Sequence, residues 1–167
     1  FPEIEKIASN HALEINFASM VYFPKAGDSR LTQVRALEGG YPFYGTLETI
    51  PVNAERDFRS GGKKALVEKT LMAQFDAVVG DFIKVGNVSL EIIGALQKVP
   101  GQTGITATVA PAVYIPMDQL EASGLVQYGS RVNYNHYFLF PESFELQALI
   151  DENKELWGED RVNFDTV

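Results

Sequence analysis

The chain has 167 residues, enough for one ordinary domain or two small lobes, and 46% of them are apolar, which argues against disorder and permits a real core. A formal net charge of −8, from 14 basic and 22 acidic residues, is the wrong sign for neutralising phosphates, so it argues against nucleic-acid binding and direct adsorption to an anionic membrane. The absence of cysteine excludes disulfides, thiolate metal sites and a cysteine nucleophile.

Pro2 to Asn10 reads as a helix, with Ile4, Ile7 and Ala8 on one face at spacings of three and four. Leu13, Ile15 and Phe17 alternate with Glu14 and Asn16, the period of a half-buried strand, which continues irregularly through Phe23. Lys25 to Ser29 is a turn and Leu31 to Leu37 a second strand, so the two predict a hairpin. Next comes an aromatic corner, Leu37 to Pro51. Gly39, Gly40 and Gly45 permit unusual backbone angles, Pro42 fixes φ, and Tyr41, Phe43 and Tyr44 put three rings on the bend. The stretch from the corner to Lys64 reads as loop. Ala65 to Val67 predicts a short strand, and Glu68 to Phe75 a helix with Leu71, Met72 and Phe75 inward.

The clearest local signal is Asp81 to Ile92. Gly86-Asn87 is a two-residue hairpin turn, which sets Val85 opposite Val88 and Ile83 opposite Leu90. A slip of one residue would bury Lys84 and Glu91, so the register is strongly specified. Pro100 to Gly104 is a loop, and Ala112 to Ile115 a buried strand. Asp118 to Glu121 resembles a capping box, with Gly124 as the stop of a short helix. Arg131 to Phe140 predicts a long aromatic strand. Glu142 to Trp157 is an amphipathic helix with Leu146, Leu149, Ile150, Leu156 and Trp157 at helical spacing, and Val162 to Val167 could begin a further strand. Ala107 to Met117, the most apolar run, is too short for the ~20 residues of a spanning helix and carries two prolines. A start at Phe1 without methionine suggests a segment cut from a longer chain.

The chemistry-bearing motifs are mostly missing. There is no Gly-x-Ser-x-Gly elbow and no HExxH pair. Ser60-Gly-Gly-Lys-Lys64 lacks the P-loop spacing, so a surface turn fits it better than a phosphate cradle. Gly101 to Gly104 has the GXXG form of a KH clamp, but no basic helix follows it. His11 and His136 are the two histidines; with no acid visibly placed to orient it, His136 reads as a packed or solvated strand residue. Asp151, Glu152, Glu155, Glu159 and Asp160 read as the solvated side and end of the last helix, and nothing there matches an EF-hand loop. No catalytic residue, cofactor or metal ligand is expected.

Four segments, in order, carry a resemblance over about Ser19 to Phe140. They are Val34-Arg-Ala-Leu-Glu-Gly-Gly-Tyr-Pro-Phe-Tyr-Gly-Thr-Leu-Glu-Thr49, Ala65-Leu-Val-Glu68 followed by Val79-Gly-Asp-Phe-Ile-Lys-Val-Gly86, Ala110-Pro-Ala-Val-Tyr-Ile-Pro-Met-Asp-Gln-Leu120, and Ser123-Gly-Leu-Val-Gln-Tyr-Gly-Ser-Arg-Val132. Together they are similar to the periplasmic domain of FtsX-like, MacB-type ABC-transporter permeases, the YbbP-like permeases among them. The third segment departs by an alanine at Ala112 where the family usually has arginine.

The resemblance implies an α+β fold with two lobes. A porter-like β-α-β lobe would be formed by residues 1–50 and 131–167, its usual first strand missing, and an inserted mixed α/β lobe by residues 51–130. Gly39, Gly40, Tyr41, Pro42, Gly45 and Gly129 would then mark the junctions, either as a hinge or as a rigid corner packed between lobes. The implied role is non-enzymatic: an extracytoplasmic domain, attached to its own transmembrane helices, that engages a lipid, lipoprotein, peptide or partner protein. ATP would be split by a separate cytoplasmic subunit. The competing readings are a small-ligand-binding module with a cleft between lobes and a small hydrolase with a hidden site.

Overall fold

The computed structural model describes residues 2–98 and 110–159. The chain forms two compact units, Phe1–Asn10 with Phe138–Val167, and His11–Tyr137. The fold is mixed α and β, as expected. The boundaries between these units lie at 10/11 and 137/138. The reason is strand pairing: the first hairpin hydrogen-bonds to strands from the middle of the chain and is part of the larger unit.

The larger unit is built on a closed ring of strands. Strand β1 (Asn10–Phe23) pairs antiparallel with β2 (Asp28–Gly39) along its length, from Ala12 opposite Gly39 to Phe23 opposite Asp28. On its far side β2 pairs in parallel with β7 (Ala112–Pro116), Gln33 meeting Ala112. Next come β4 (Lys64–Glu68), antiparallel to β7, and β6 (Val88–Leu96), parallel to β4. The hairpin partner of β6, β5 (Phe82–Val85), returns to β1 through Val21 opposite Val85. Two further strands hang on the ring: β3 (Thr49–Ile50) on β6 and β8 (Asn133–Leu139) on β1.

Alternation fills the ring. Ile15, Phe17, Val21 and Phe23 of β1 pack with Val34, Val67, Ile83, Leu90, Val113 and Ile115 in the larger core cluster. A short helix, α3 (Lys69–Gln74), adds Leu71 and Met72, and Phe75 just beyond it stacks on Phe23 with ring centroids 4.3 Å apart. The β5–β6 register is the expected one, Val85 opposite Val88 and Ile83 opposite Leu90.

A second cluster lies on the outside of the ring. Leu66, Leu96 and Tyr114 are covered by Leu47 and by Ala54 and Phe58 of helix α2 (Ala54–Arg59). Strand β3 and this helix occupy the stretch read as loop before Lys64. The helix fits closely because of Gly94: a Cβ there would lie 2.5 Å from the Ala54 Cβ and 3.1 Å from Leu66. Ile93 is skipped in the β4–β6 register, so the strand bulges where the helix lies against it. Beyond β7 a single 3₁₀ turn (Met117–Gln119) leads into α4 (Leu120–Ser123), stopped by Gly124 at φ +68°. Asp118 does not cap that helix; its carboxylate accepts from the Gly62 amide at 2.9 Å.

In the smaller unit, α1 (Pro2–Ile7) is followed by Ser9, whose amide donates to the Leu139 carbonyl at 2.6 Å. Phe138, Phe140 and Phe144 form a run of rings with centroids 6.2 and 4.7 Å apart. Helix α5 (Leu146–Glu159) starts four residues later than Glu142, and its Ile150 is buried. The expected loop at Pro100 to Gly104, the strand at Val162 to Val167 and the side chains of Leu156 and Trp157 lie outside the described residues.

Candidate functional site

The polar residues of β1 do not simply face water. Glu14 and Asn16 are on the outer side of the ring, opposite Leu37 and Arg35 of β2, yet Glu14 is fully buried. Its Oε1 accepts from Asn16 Nδ2 at 2.9 Å and from Asn135 Nδ2 of β8 at 3.2 Å. Its Oε2 lies 3.7 Å from Arg35 Nη1, an ion pair without a hydrogen bond. The same Nη1 donates to the Tyr114 hydroxyl at 3.3 Å, and the guanidinium sits 5.7 Å from the centre of that ring. Asn16 Oδ1 accepts in turn from Gln33 at 3.1 Å and Asn133 at 3.2 Å.

Tyrosines close this cluster. Tyr41 from the corner stacks on Tyr137 of β8, centroids 3.9 Å apart. Burial pushes the phenols of Tyr137, Tyr114 and Tyr41 above the ordinary tyrosine range, and the nearby Glu14 carboxylate adds to it. For Arg35, burial works against the charge, but Tyr114 and Glu14 more than offset it, and its pKa stays raised. The arrangement sets neutral phenols beside a carboxylate–guanidinium pair.

The corner is held from below by one side chain. Arg59 of α2 donates to the carbonyls of Gly39 at 2.7 Å and Tyr41 at 2.8 Å, while pairing with Glu55 at 2.6 Å. Gly39 sits at φ +87°, and a Cβ there would come within 2.7 Å of the His11 carbonyl oxygen. Gly45 and Gly129 are also in the left-handed region, both facing open space. The Tyr41–Pro42 peptide is cis, and Tyr44 is exposed. Gly39, Gly40, Tyr41, Pro42, Gly45 and Gly129 all lie inside the larger unit. The corner joins β2 to β3.

Beside the corner is a groove of about 350 Å³. Leu37, Phe58, Pro116 and Met117 supply its apolar wall, and Glu38, Arg59 and Asp118 its charged lip. The Ser60–Lys64 turn borders it; Asp118 already occupies the Gly62 amide, the position an anion would need. His136 is not isolated: His11 Nε2 lies 3.1 Å from its Nδ1.

Residues 2–152 match the family described as the MacB-like periplasmic core domain. The chain belongs to that family. Over 137 residues it is 31% identical to an uncharacterized ABC transporter permease, YbbP, of Escherichia coli K12; the match takes in 81% of this chain but 16% of that protein. The structure resembles the extracellular domain of the ABC-type transporter YknZ from Gram-positive bacteria, with TM-score 0.62, 14% identity, and 96% and 81% of the two chains covered. It also resembles the periplasmic region of MacB from Actinobacillus actinomycetemcomitans, with TM-score 0.55, 10% identity, and 95% and 71% covered. At those identities the structures establish the fold. Sequence reasoning found the MacB-like segments but missed the cluster of Glu14, Arg35 and Tyr114, and the hold of Arg59 on the corner. A glutamate two pairs away from an arginine, hence on the same face of a predicted hairpin, was the available signal.

Proposed function

We propose that this MacB-like periplasmic core domain is the extracytoplasmic part of an ABC-transporter permease. There it engages cargo or a partner protein and couples to ATP-driven motion of the membrane parts. The observation that carries the reading is the 31% identity to the permease YbbP across 137 residues. In this reading ATP is hydrolysed by a separate cytoplasmic subunit, and the domain's own transmembrane helices lie outside the residues described; no described helix is long and apolar enough to cross a membrane. The cargo class is a lipid, lipoprotein, peptide or protein. The two-lobed reading goes with it: a porter-like lobe of residues 1–50 and 131–167 and an inserted mixed lobe of residues 51–130.

The corner is proposed as the element that yields when the permease cycles, with Arg59 as its latch at rest. Gly40 tests this, because its backbone is outside the left-handed region and an added Cβ brings no φ strain there. In the full permease, Gly40→Ala combined with Arg59→Met impairs transport and leaves basal ATPase activity intact. Normal transport by the stably expressed double variant removes the hinge. Loss of both activities places the defect in assembly.

A small-ligand module is the second reading, favoured by the groove between Phe58 and Met117. Saturable binding of an amphipathic small molecule, lost in Phe58→Ala, is its signature.

A further inference from the structure

The two histidines of the chain, 125 residues apart in sequence, face each other across β1 and β8. His11 Nε2 and His136 Nδ1 are 3.1 Å apart, the rings are within 6° of parallel, and their centroids are 5.3 Å apart. Both imidazoles are half-buried, so solvent reaches them. Without an ion, the contact is a nitrogen–nitrogen hydrogen bond, one ring donating and the other accepting.

We propose that His11 and His136 form a binding clip for a borderline transition-metal dication such as Zn²⁺ or Ni²⁺. Two imidazole nitrogens at about 2.0–2.1 Å from one ion stand roughly 3.0–3.4 Å apart at ordinary coordination angles. The pair already stands at 3.1 Å. A rotation of each ring about its Cβ–Cγ bond turns both facing lone pairs toward a common point. The donor ring moves its proton to its other nitrogen, so a neutral pair loses no net proton and each ring gives one lone pair. Water completes the coordination. Imidazole suits zinc and nickel, whereas magnesium prefers oxygen ligands, so the clip discriminates by ligand chemistry. The bound ion bridges the two strands and stabilises their pairing by linkage.

The test is calorimetric titration and thermal melting of the tag-free 167-residue chain with NiCl₂, ZnCl₂ and MgCl₂. The expected result is one nickel or zinc ion per chain and a melting midpoint several degrees higher at about 100-fold excess over the dissociation constant. Both effects are lost in His11→Gln and in His136→Gln. Three results overturn the clip: no binding by the parent chain up to about 1 mM ion, binding kept by both variants, or an equal shift with magnesium. Should either variant fail to fold, the histidine ring resonances of the parent chain decide it. Both move with sub-stoichiometric zinc if the clip holds, and neither moves if it does not.

Discussion

Arg35 is the residue on which the buried cluster turns. Glu14 has no exposure at all, and its Oε2 has the guanidinium 3.7 Å away as its counter-charge. Removing one member of a buried pair leaves the other charged and uncompensated, a cost of about 3–5 kcal/mol. Arg35→Met is therefore expected to lower the melting midpoint by roughly 10 °C, and the double variant with Glu14→Gln to recover part of that. A single variant that melts with the parent chain shows that the pair contributes nothing. The phenols make a second, pH-dependent statement. Tyr137, Tyr114 and Tyr41 have raised pKa values because they are buried. Their contribution is fully present below the unfolded tyrosine value of about 10 and is lost as pH rises above it. Denaturant midpoints should fall above about pH 10, with a shallower fall in Tyr137→Phe. An equal slope in that variant removes Tyr137 from the effect.

At the scale of elements, the hairpin of β5 and β6 was legible because turn and register are local: Gly86-Asn87 decides the pairing of Val85 with Val88 without help from elsewhere. Gly86 has φ +57°, and a Cβ there would collide with the Ser123 carbonyl oxygen. Gly86→Val therefore carries both backbone strain and a steric clash, and should cost about 2 kcal/mol or more in denaturation experiments. An unchanged midpoint would show that α4 moves away freely. Helix α2 was not legible, since its six residues show only Ala54 and Phe58 as an apolar face and depend on the space left by Gly94. Glu14 was hidden for a different reason. Strand alternation puts it on the polar side, and partners such as Arg35 and Asn135 reach it from residues remote in sequence.

For the whole molecule, the family was legible and the pairing that closes the ring was not. The four MacB-like segments are runs of consecutive residues, so they survive as text. The closure depends on which strands pair with β1 and β2, and the parallel β2–β7 ladder leaves no trace in either strand's pattern beyond its apolarity. With β1 closing onto both β2 and β5, the ring has no open side of its own, and both core clusters lie within His11–Tyr137.

That closure has a kinetic consequence. The β1–β2 and β5–β6 hairpins are local and can form within microseconds. The ring is shut only when Gln33 finds Ala112 in parallel register, across most of the intervening chain. Loop-closure entropy places so distant a contact late on the route to the native state. The last ladder to form is thus the first barrier to escape. Val34, Ala36, Val113 and Ile115 govern how long the folded domain survives more than how fast it is reached.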